Sequence, residues 1–270
     1  MLETYDILII GVKTKVAKEI VEKIKSSKII ATLSIGLDHI DEVVKNSPNI
    51  QVINIKDANT VSAAEHIFSL ILALQKRIIE SNHLVLNKKG NKKNLKERPE
   101  DISFKKLGLI GAGNITREVI KIAKIFHMSM ICYTKTPSNH KDLLEQGVKF
   151  KSLEEVLKES DIINISIPLT KETKNLISKE KIELIKPTAT LINTSRIDIV
   201  DMISLIEKAE KYPSFYVGLD IDTEEYEEQL SKYRRNVLIT PHTAGVSKEA
   251  IDRMDVELVN KIVEKIKENN

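Results

Sequence analysis

The sequence predicts an α/β protein built on parallel sheets, with enough chain for two modest domains. Short apolar runs alternate with stretches of helical periodicity, the pattern of successive βαβ units. The chain has 270 residues and is 41% hydrophobic, so more than one core can form. Its single cysteine, Cys132, falls inside an apolar strand pattern and reads as a small core residue, so no internal disulfide is available to the fold.

In chain order, residues 6–10 are expected as a strand and 15–25 as the helix after it. Residues 63–74 are apolar on nearly every side, which suits a helix buried between domains, and the domain junction is placed there. Residues 87–101 are polar and lysine-rich with one proline; they read as an exposed connection and lack the interleaved aromatics of a nucleic-acid site. Strand 106–110 leads into helix 114–126, and strand 128–133 into helix 139–146. Ser152 and Glu155 have capping-box spacing, so a helix starts there, ahead of a buried-type strand at 161–167. Further strands are expected at 189–193, 215–219 and 237–239. The last helix, from Ser247, repeats apolar residues at Ile251, Met254, Leu258, Ile262 and Ile266, and its expected partner is the N-terminal domain.

Forty-two basic against 39 acidic side chains leave a net charge of +3, with the signs interspersed, which gives no support to a dedicated nucleic-acid or membrane surface. Glu3 and Asp6 precede a short apolar run, without the basic flank and length of a signal peptide or spanning helix, and a reducing, cytoplasmic setting is expected. His39, His66, His83, His127 and His140 show no metal-ligand grouping; they read as structural or exposed, and no metal is expected.

Two segments carry chemistry. Leu107-Gly-Leu-Ile-Gly111-Ala-Gly113-Asn114-Ile115-Thr116 lies between an expected strand and an expected helix, as a dinucleotide-binding turn does. Gly111 permits the tight turn, and Gly113 allows a pyrophosphate close to the helix N-terminus; the third position is Thr116 rather than Gly or Ala. An acidic residue closing the next strand would bind the adenosine ribose of NAD, but this strand ends on Thr134 and Lys135. A hydroxyl followed by a cation favours NADP over NAD; the alternative is that Lys135 is merely solvated and NAD binds. In Thr240-Pro-His242-Thr-Ala244-Gly245, His242 sits just past a strand and before the long helix, which makes it the best candidate for a reacting acid or base.

The dinucleotide turn, Pro168-Leu-Thr-Lys-Glu-Thr173, Leu191-Ile-Asn-Thr194-Ser-Arg196 and the His242 segment, in that order, resemble the D-isomer-specific 2-hydroxyacid dehydrogenase family. The likeness extends to Ile35-Gly36-Leu-Asp38-His-Ile-Asp41 and Ala58-Asn59-Thr-Val-Ser62-Ala-Ala-Glu65, so it covers nearly the whole chain. It implies two Rossmann-like, doubly wound parallel-sheet domains with the active site in the cleft between them. Residues 1–80 with 247–270 would bind substrate, and 81–246 would bind NAD(P).

Carried over position by position, the resemblance implies Arg196 as the substrate-binding arginine, His242 as acid/base and Glu225 as its acidic partner. Ile35 and Gly36 would hold the substrate carboxylate through backbone amides, and Asn59 would line the same site. Cofactor contacts fall on Gly111, Gly113, Asn114, Ile115, Thr134, Lys135, Pro168, Thr173, Thr194, Asp220, His242 and Ala244. The implied reaction interconverts a small 2-oxo acid and its D-2-hydroxy acid, of the glyoxylate, hydroxypyruvate and glycerate class, in a homodimer. An alternative is a dinucleotide-sensing or corepressor-like binding protein with little turnover.

The chain also departs from the pattern. It looks shortened at its start by roughly forty residues. Ile197 stands where the family has Gly, Tyr226 where it has Pro, and Gly11 where phosphoglycerate dehydrogenases tend to carry an arginine, which argues against 3-phosphoglycerate.

Overall fold

The computed structural model describes residues 5–11, 13–23, 28–221 and 236–269. Its elements begin with β1 (Ile7–Ile10), α1 (Glu19–Lys23), β2 (Lys28–Thr32), α2 (Glu42–Lys45), β3 (Ile50–Asn54), α3 (Thr60–Gln75) and α4 (Ile78–Leu86). They continue with β4 (Lys106–Ile110), α5 (Asn114–Ile125), β5 (Ser129–Tyr133), α6 (Lys141–Glu145), β6 (Lys149–Phe150), α7 (Leu153–Glu159) and β7 (Ile162–Ile165). The chain closes with α8 (Lys179–Leu184), β8 (Thr190–Asn193), α9 (Met202–Lys211), β9 (Tyr216–Asp220), β10 (Val237–Thr240) and α10 (Lys248–Asn269). By internal contacts it divides into two units, 1–59 with 246–270, and 60–245.

The smaller unit holds a parallel sheet in the order β1-β2-β3. Every residue of β2 is buried, because alternate side chains of a strand leave opposite faces and both faces are covered. Ile30 packs with Ile10, Val16, Ile40 and Val44 on one side, while Ile29 and Ala31 meet Ile55, Ala58, Met254, Leu258 and Ile262 on the other. Helix α10 thus packs on the N-terminal sheet through the middle of its apolar repeat. Ile251 and Ile266 at its ends stay 43% and 38% exposed, because the apolar contact with the sheet is made by the central three residues of the repeat. Polar groups of α10 fix the loop after β3: Glu257 accepts the amides of Lys56 at 2.7 Å and Ala58 at 3.1 Å, and Arg253 donates to the Ala58 carbonyl at 2.8 Å.

The larger unit is a seven-stranded parallel sheet in the order β10-β9-β8-β7-β4-β5-β6. The chain winds outward from β4 through β5 to β6, then returns to β7 and winds the other way, so the order reverses between β4 and β7. Such a switch point opens a crevice at the carboxyl ends of the strands. Period-two alternation sends Leu107 and Leu109 to one core with α3 and α5, and Ile110 to another with α7, α8 and α9. Helix α3 contributes Ile67, Phe68, Leu70, Ile71 and Leu74 to the first of these cores. Cys132 is fully buried there, and burial pushes its thiol up to about 12, so it behaves as a core residue.

Local chemistry explains several boundaries. Ser152 caps α7 through the Glu155 amide at 3.2 Å while the Glu155 carboxylate accepts the Ser152 amide at 2.9 Å, the reciprocal box its spacing predicts. The helix expected over 139–146 is instead a 3-10 turn at Pro137–Asn139 followed by the shorter α6, because His140 takes φ −125 and breaks the helical run. The 87–101 connection is largely exposed but anchored by Glu97, which accepts from Ser214 Oγ at 2.7 Å and from the Tyr216 hydroxyl, and pairs with Arg77 at 3.5 Å.

Candidate active site

Because the seven strands are parallel, all the loops that leave their carboxyl ends share one edge of the sheet. Along that edge, in sheet order, lie His242 after β10, Asp220 closing β9, Thr194 and Arg196 after β8, and Pro168 beyond β7. Gly111 after β4 and Thr134 after β5 follow on the same edge. The strand order therefore gathers candidates that are spread over more than a hundred residues of sequence.

The turn after β4 is built for close approach. Gly111 has φ +110, and a Cβ placed on it would lie 2.3 Å from the Ser166 carbonyl oxygen of the loop after β7. Only glycine fits both restrictions. Gly113 caps α5, and a Cβ there would meet nothing within 4 Å, so space is open directly before the N-terminus of a 12-residue helix. That combination fits a dinucleotide pyrophosphate, with Gly111, Gly113, Asn114 and Ile115 as the residues that would hold it. Thr116 is fully buried, and its hydroxyl donates to the Gly111 carbonyl at 3.0 Å, so the third position of the motif braces the turn through a hydrogen bond. Arg117 adds a second brace, donating to the Ala112 carbonyl at 2.7 Å while its Nε pairs with Asp142 at 2.9 Å.

Gly111→Ala is accordingly expected to destabilise the protein by about 2–4 kcal/mol, since it combines a disfavoured φ with a clash against backbone. Chemical denaturation measures this, and a variant within about 0.5 kcal/mol of the parent, the range of neutral surface changes, would contradict the packing described.

At the end of β5, Thr134 is half-buried and Lys135 exposed. The neighbouring 168–173 loop is closed by Thr173, which is buried, donates to the Pro168 carbonyl at 2.6 Å and accepts the Thr170 amide at 2.7 Å. In the same loop the Thr170 hydroxyl, with Lys135 among the lesser contributors, holds the Glu172 carboxyl below its usual range. Lys135 therefore shares its charge with a carboxylate.

The turn bearing Thr194 and Arg196 hangs on Asn193, whose side chain is fully buried. Asn193 Nδ2 donates to the Arg196 carbonyl and its Oδ1 accepts the Ser195 amide, both at 3.0 Å. Ser195 Oγ ties the turn to β7 through the Ile165 carbonyl at 3.0 Å. Arg196 is half-buried, with Nη1 donating to the Ser195 carbonyl at 3.0 Å. Ile197 opens a 3-10 turn and packs on the core; it is not among the described non-glycine residues with positive φ, so the position has no need of glycine here. Asp201 caps α9 through the Ser204 amide at 3.0 Å.

Asp220, fully buried, organises the His242 turn. Its Oδ1 accepts the Thr240 hydroxyl at 2.5 Å and the Thr243 amide at 2.8 Å, and its Oδ2 accepts the Ala244 amide at 2.8 Å. His242 is half-buried with φ 54, a left-handed conformation uncommon outside glycine, so this turn must be held from its flanks. His66, a residue that sequence reasoning set aside, lies here too, with Nε2 at 2.9 Å from Thr240 Oγ1. The candidate acid partner Glu225, and Tyr226, lie outside the described residues.

In the smaller unit, Ile35 and Gly36 follow β2. Their carbonyls are engaged by Asn54 Nδ2 at 2.8 Å and Ser34 Oγ at 2.9 Å, whereas neither amide donates to a described residue. The Asn59 Oδ1 is buried with no hydrogen-bond partner among the described residues. A separate groove of about 580 Å³ lies where β4 to β6 begin, lined among others by Lys106, Lys124, Lys149, Lys151 and Glu159. Lys106 and Lys151 are already paired with Glu159, whose carboxyl they hold at about 2, and the groove is at the opposite end of the strands from the loops above.

Comparison with known proteins gives a consistent set of relatives. The family model described as D-isomer specific 2-hydroxyacid dehydrogenase, NAD binding domain, matches residues 68–244. Glyoxylate reductase of Thermococcus litoralis is 36% identical over 263 residues, covering 95% of this chain and 78% of that protein. A solved structure of an acyclic imino acid reductase in complex with NADPH and D-Arg is 30% identical, with a TM-score of 0.89 over 99% of this chain and 84% of that one. D-lactate dehydrogenase from Aquifex aeolicus, complexed with NAD and lactic acid, is 32% identical, with a TM-score of 0.88 over 98% of this chain and 84% of that one.

Proposed function

Since the chain belongs to the D-isomer specific 2-hydroxyacid dehydrogenase family, we propose that it reduces a small 2-oxo acid to its D-2-hydroxy acid with a nicotinamide nucleotide. The observation that carries this reading is the alignment of Arg196, Asp220 and His242 on the carboxyl ends of three neighbouring strands, β8, β9 and β10, beside the glycine turn. Glyoxylate, hydroxypyruvate and pyruvate are the substrates proposed. The relative that reduces glyoxylate and the one bound to lactic acid support that size class.

The bound nicotinamide supplies the hydride to the carbonyl carbon. The residues of the chain supply position, charge and a proton. Arg196 offers a planar fork to the carboxylate and polarises the 2-oxo oxygen. His242 gives that oxygen its proton, a task suited to an imidazole because it titrates near working pH. Glu225 is assigned to the imidazolium, holding the ring and favouring its charged form. Ile35 and Gly36 are assigned to the carboxylate through their amides, and Asn59 to the lining of the same site. Homodimer formation is part of the proposal, and the exposed Ile78, Ile79, Val85 and Leu86 of α4 are its candidate face.

Oxidation of NADPH and of NADH against these three 2-oxo acids tests the reading. Reduction of at least one is the expected result. Tight nucleotide binding with no turnover of any would favour the dinucleotide-sensing alternative instead.

Cofactor choice is proposed to rest on Thr134 and Lys135, with NADPH used at least as well as NADH. No carboxylate ends β5 to accept the ribose hydroxyls or to repel a 2′-phosphate. Thr134→Asp is expected to shift the ratio of kcat/KM for the two cofactors toward NADH by about tenfold or more, adding an acceptor and a like charge together. A parent enzyme strongly selective for NADH would remove Thr134 and Lys135 from the choice.

A further inference from the structure

Helix α3 brings two polar side chains, Ser62 and His66, against the turn that carries His242. They are spaced four apart, so they share one face of the helix. Ser62 Oγ donates to the Ala244 carbonyl at 2.7 Å. His66 Nε2 is 2.9 Å from Thr240 Oγ1 and 3.6 Å from Asp220 Oδ1.

The direction of these bonds follows from counting protons. Thr240 has one hydroxyl hydrogen, and its oxygen lies 2.5 Å from Asp220 Oδ1 but 3.3 Å from the other acceptor within reach, the Leu219 carbonyl. Each Asp220 oxygen already accepts a backbone amide, so Asp220 is the acceptor in this short contact too, and the threonine hydrogen lies between the two oxygens. Thr240 Oγ1 is then left to accept, and His66 must present a hydrogen on Nε2. The chain of donors runs from His66 through Thr240 to Asp220, whose remaining lone pairs hold the Thr243 and Ala244 amides.

We propose that His66, with its hydrogen on Nε2, and Ser62 are positioning residues for His242. They clamp the 240–244 turn from one side while Asp220 clamps it from within. The need for a clamp is visible in the backbone: His242 sits at φ 54, a conformation that persists only where the surroundings over-determine it. Ser62 fixes the carbonyl of Ala244 and Asp220 its amide, so that residue is held at both ends. The proposal rests on the assignment of His242 as the acid/base.

Three measurements, on the parent and on variants of His66 and Ser62, test it. In the parent, long-range nitrogen–proton NMR of the histidine rings is expected to find His66 protonated on Nε2. In His66→Leu, the Thr243 and Ala244 amides are expected to exchange about tenfold faster, the scale of one lost hydrogen bond. The same variant should lose about tenfold in kcat while KM for the nicotinamide nucleotide stays within about twofold, and His66→Gln, which keeps an N–H donor, should recover most of the loss.

An Nδ1-protonated ring in the parent would overturn the clamp, as would unchanged exchange and kcat in His66→Leu. Equal damage to kcat and KM in both His66 variants would do the same, by showing general disruption. If His66→Leu does not fold, the tautomer in the parent and Thr243 and Ala244 exchange in Ser62→Ala decide: faster exchange supports the clamp, unchanged exchange sinks it. A parent that reduces no 2-oxo acid would remove the proposed reaction but leave the tautomer and exchange results to judge the clamp by themselves.

Discussion

His242→Gln is expected to lower turnover by about two to four orders of magnitude, the range of a lost acid/base group, with nucleotide affinity near that of the parent. Glutamine keeps polarity and approximate reach but has no group that gains and loses a proton near neutral pH. The pyrophosphate is proposed to sit on the turn after β4 and the start of α5, which His242 does not brace, so losing the one cofactor contact implied for His242 should leave most of the nucleotide affinity. One complication is conformational, because the residue sits at φ 54. His242→Asn answers it: asparagine tolerates the left-handed region better than most residues, so a loss shared by both variants belongs to the missing imidazole rather than to a displaced turn. Single-turnover reduction with saturating nucleotide is the appropriate measurement, and rates near the parent's would take His242 out of the mechanism.

Arg196→Lys is expected to cost about 2–4 kcal/mol in transition-state binding, read as a fall of about thirtyfold to a thousandfold in kcat/KM. The backbone of this turn is held by the Asn193 side chain and by Ser195 Oγ, and the guanidinium adds only a bond to the Ser195 carbonyl, so most of the frame stays when the fork is removed. A lysine retains the charge. It cannot reproduce two parallel N–H bonds to a carboxylate, and its single ammonium cannot bind that group and polarise the neighbouring carbonyl in one fixed plane. A lysine variant that keeps most of its kcat/KM would return Arg196 to a structural role.

The parts of this protein that read most clearly from sequence are those whose constraint is local. Strands β4, β5, β7, β8 and β9 are nearly fully buried, and a strand covered on both faces shows as a continuous apolar run. Gly111 stands out because its φ and the nearby Ser166 carbonyl admit no side chain. The Ser152 cap announces itself by spacing alone. By contrast, β2 and β3 of the smaller sheet carry polar residues within the run, Lys28 and Thr32 in one and Gln51 and Asn54 in the other, so no continuous apolar stretch marks them. Thr116, which stands where the motif has Gly or Ala, is a hydrogen-bonded brace, and its spacing alone does not announce that role.

His66 marks the other limit. On a helix of mostly apolar residues a lone histidine carries no local sign of purpose, and its partner Thr240 is 174 positions away. Asp220 bonds residues 20 to 24 positions further along the chain, across the gap between one strand and the next. Sequence by itself determined the strands of the larger sheet and named candidates for binding a carboxylate and moving a proton, since period, turn geometry and side-chain chemistry belong to neighbouring residues. Only the tertiary structure decided that α3 reaches the His242 turn and that Asp220 holds it from within, because those hydrogen bonds exist only once the parallel sheet has carried distant strand ends to the same edge.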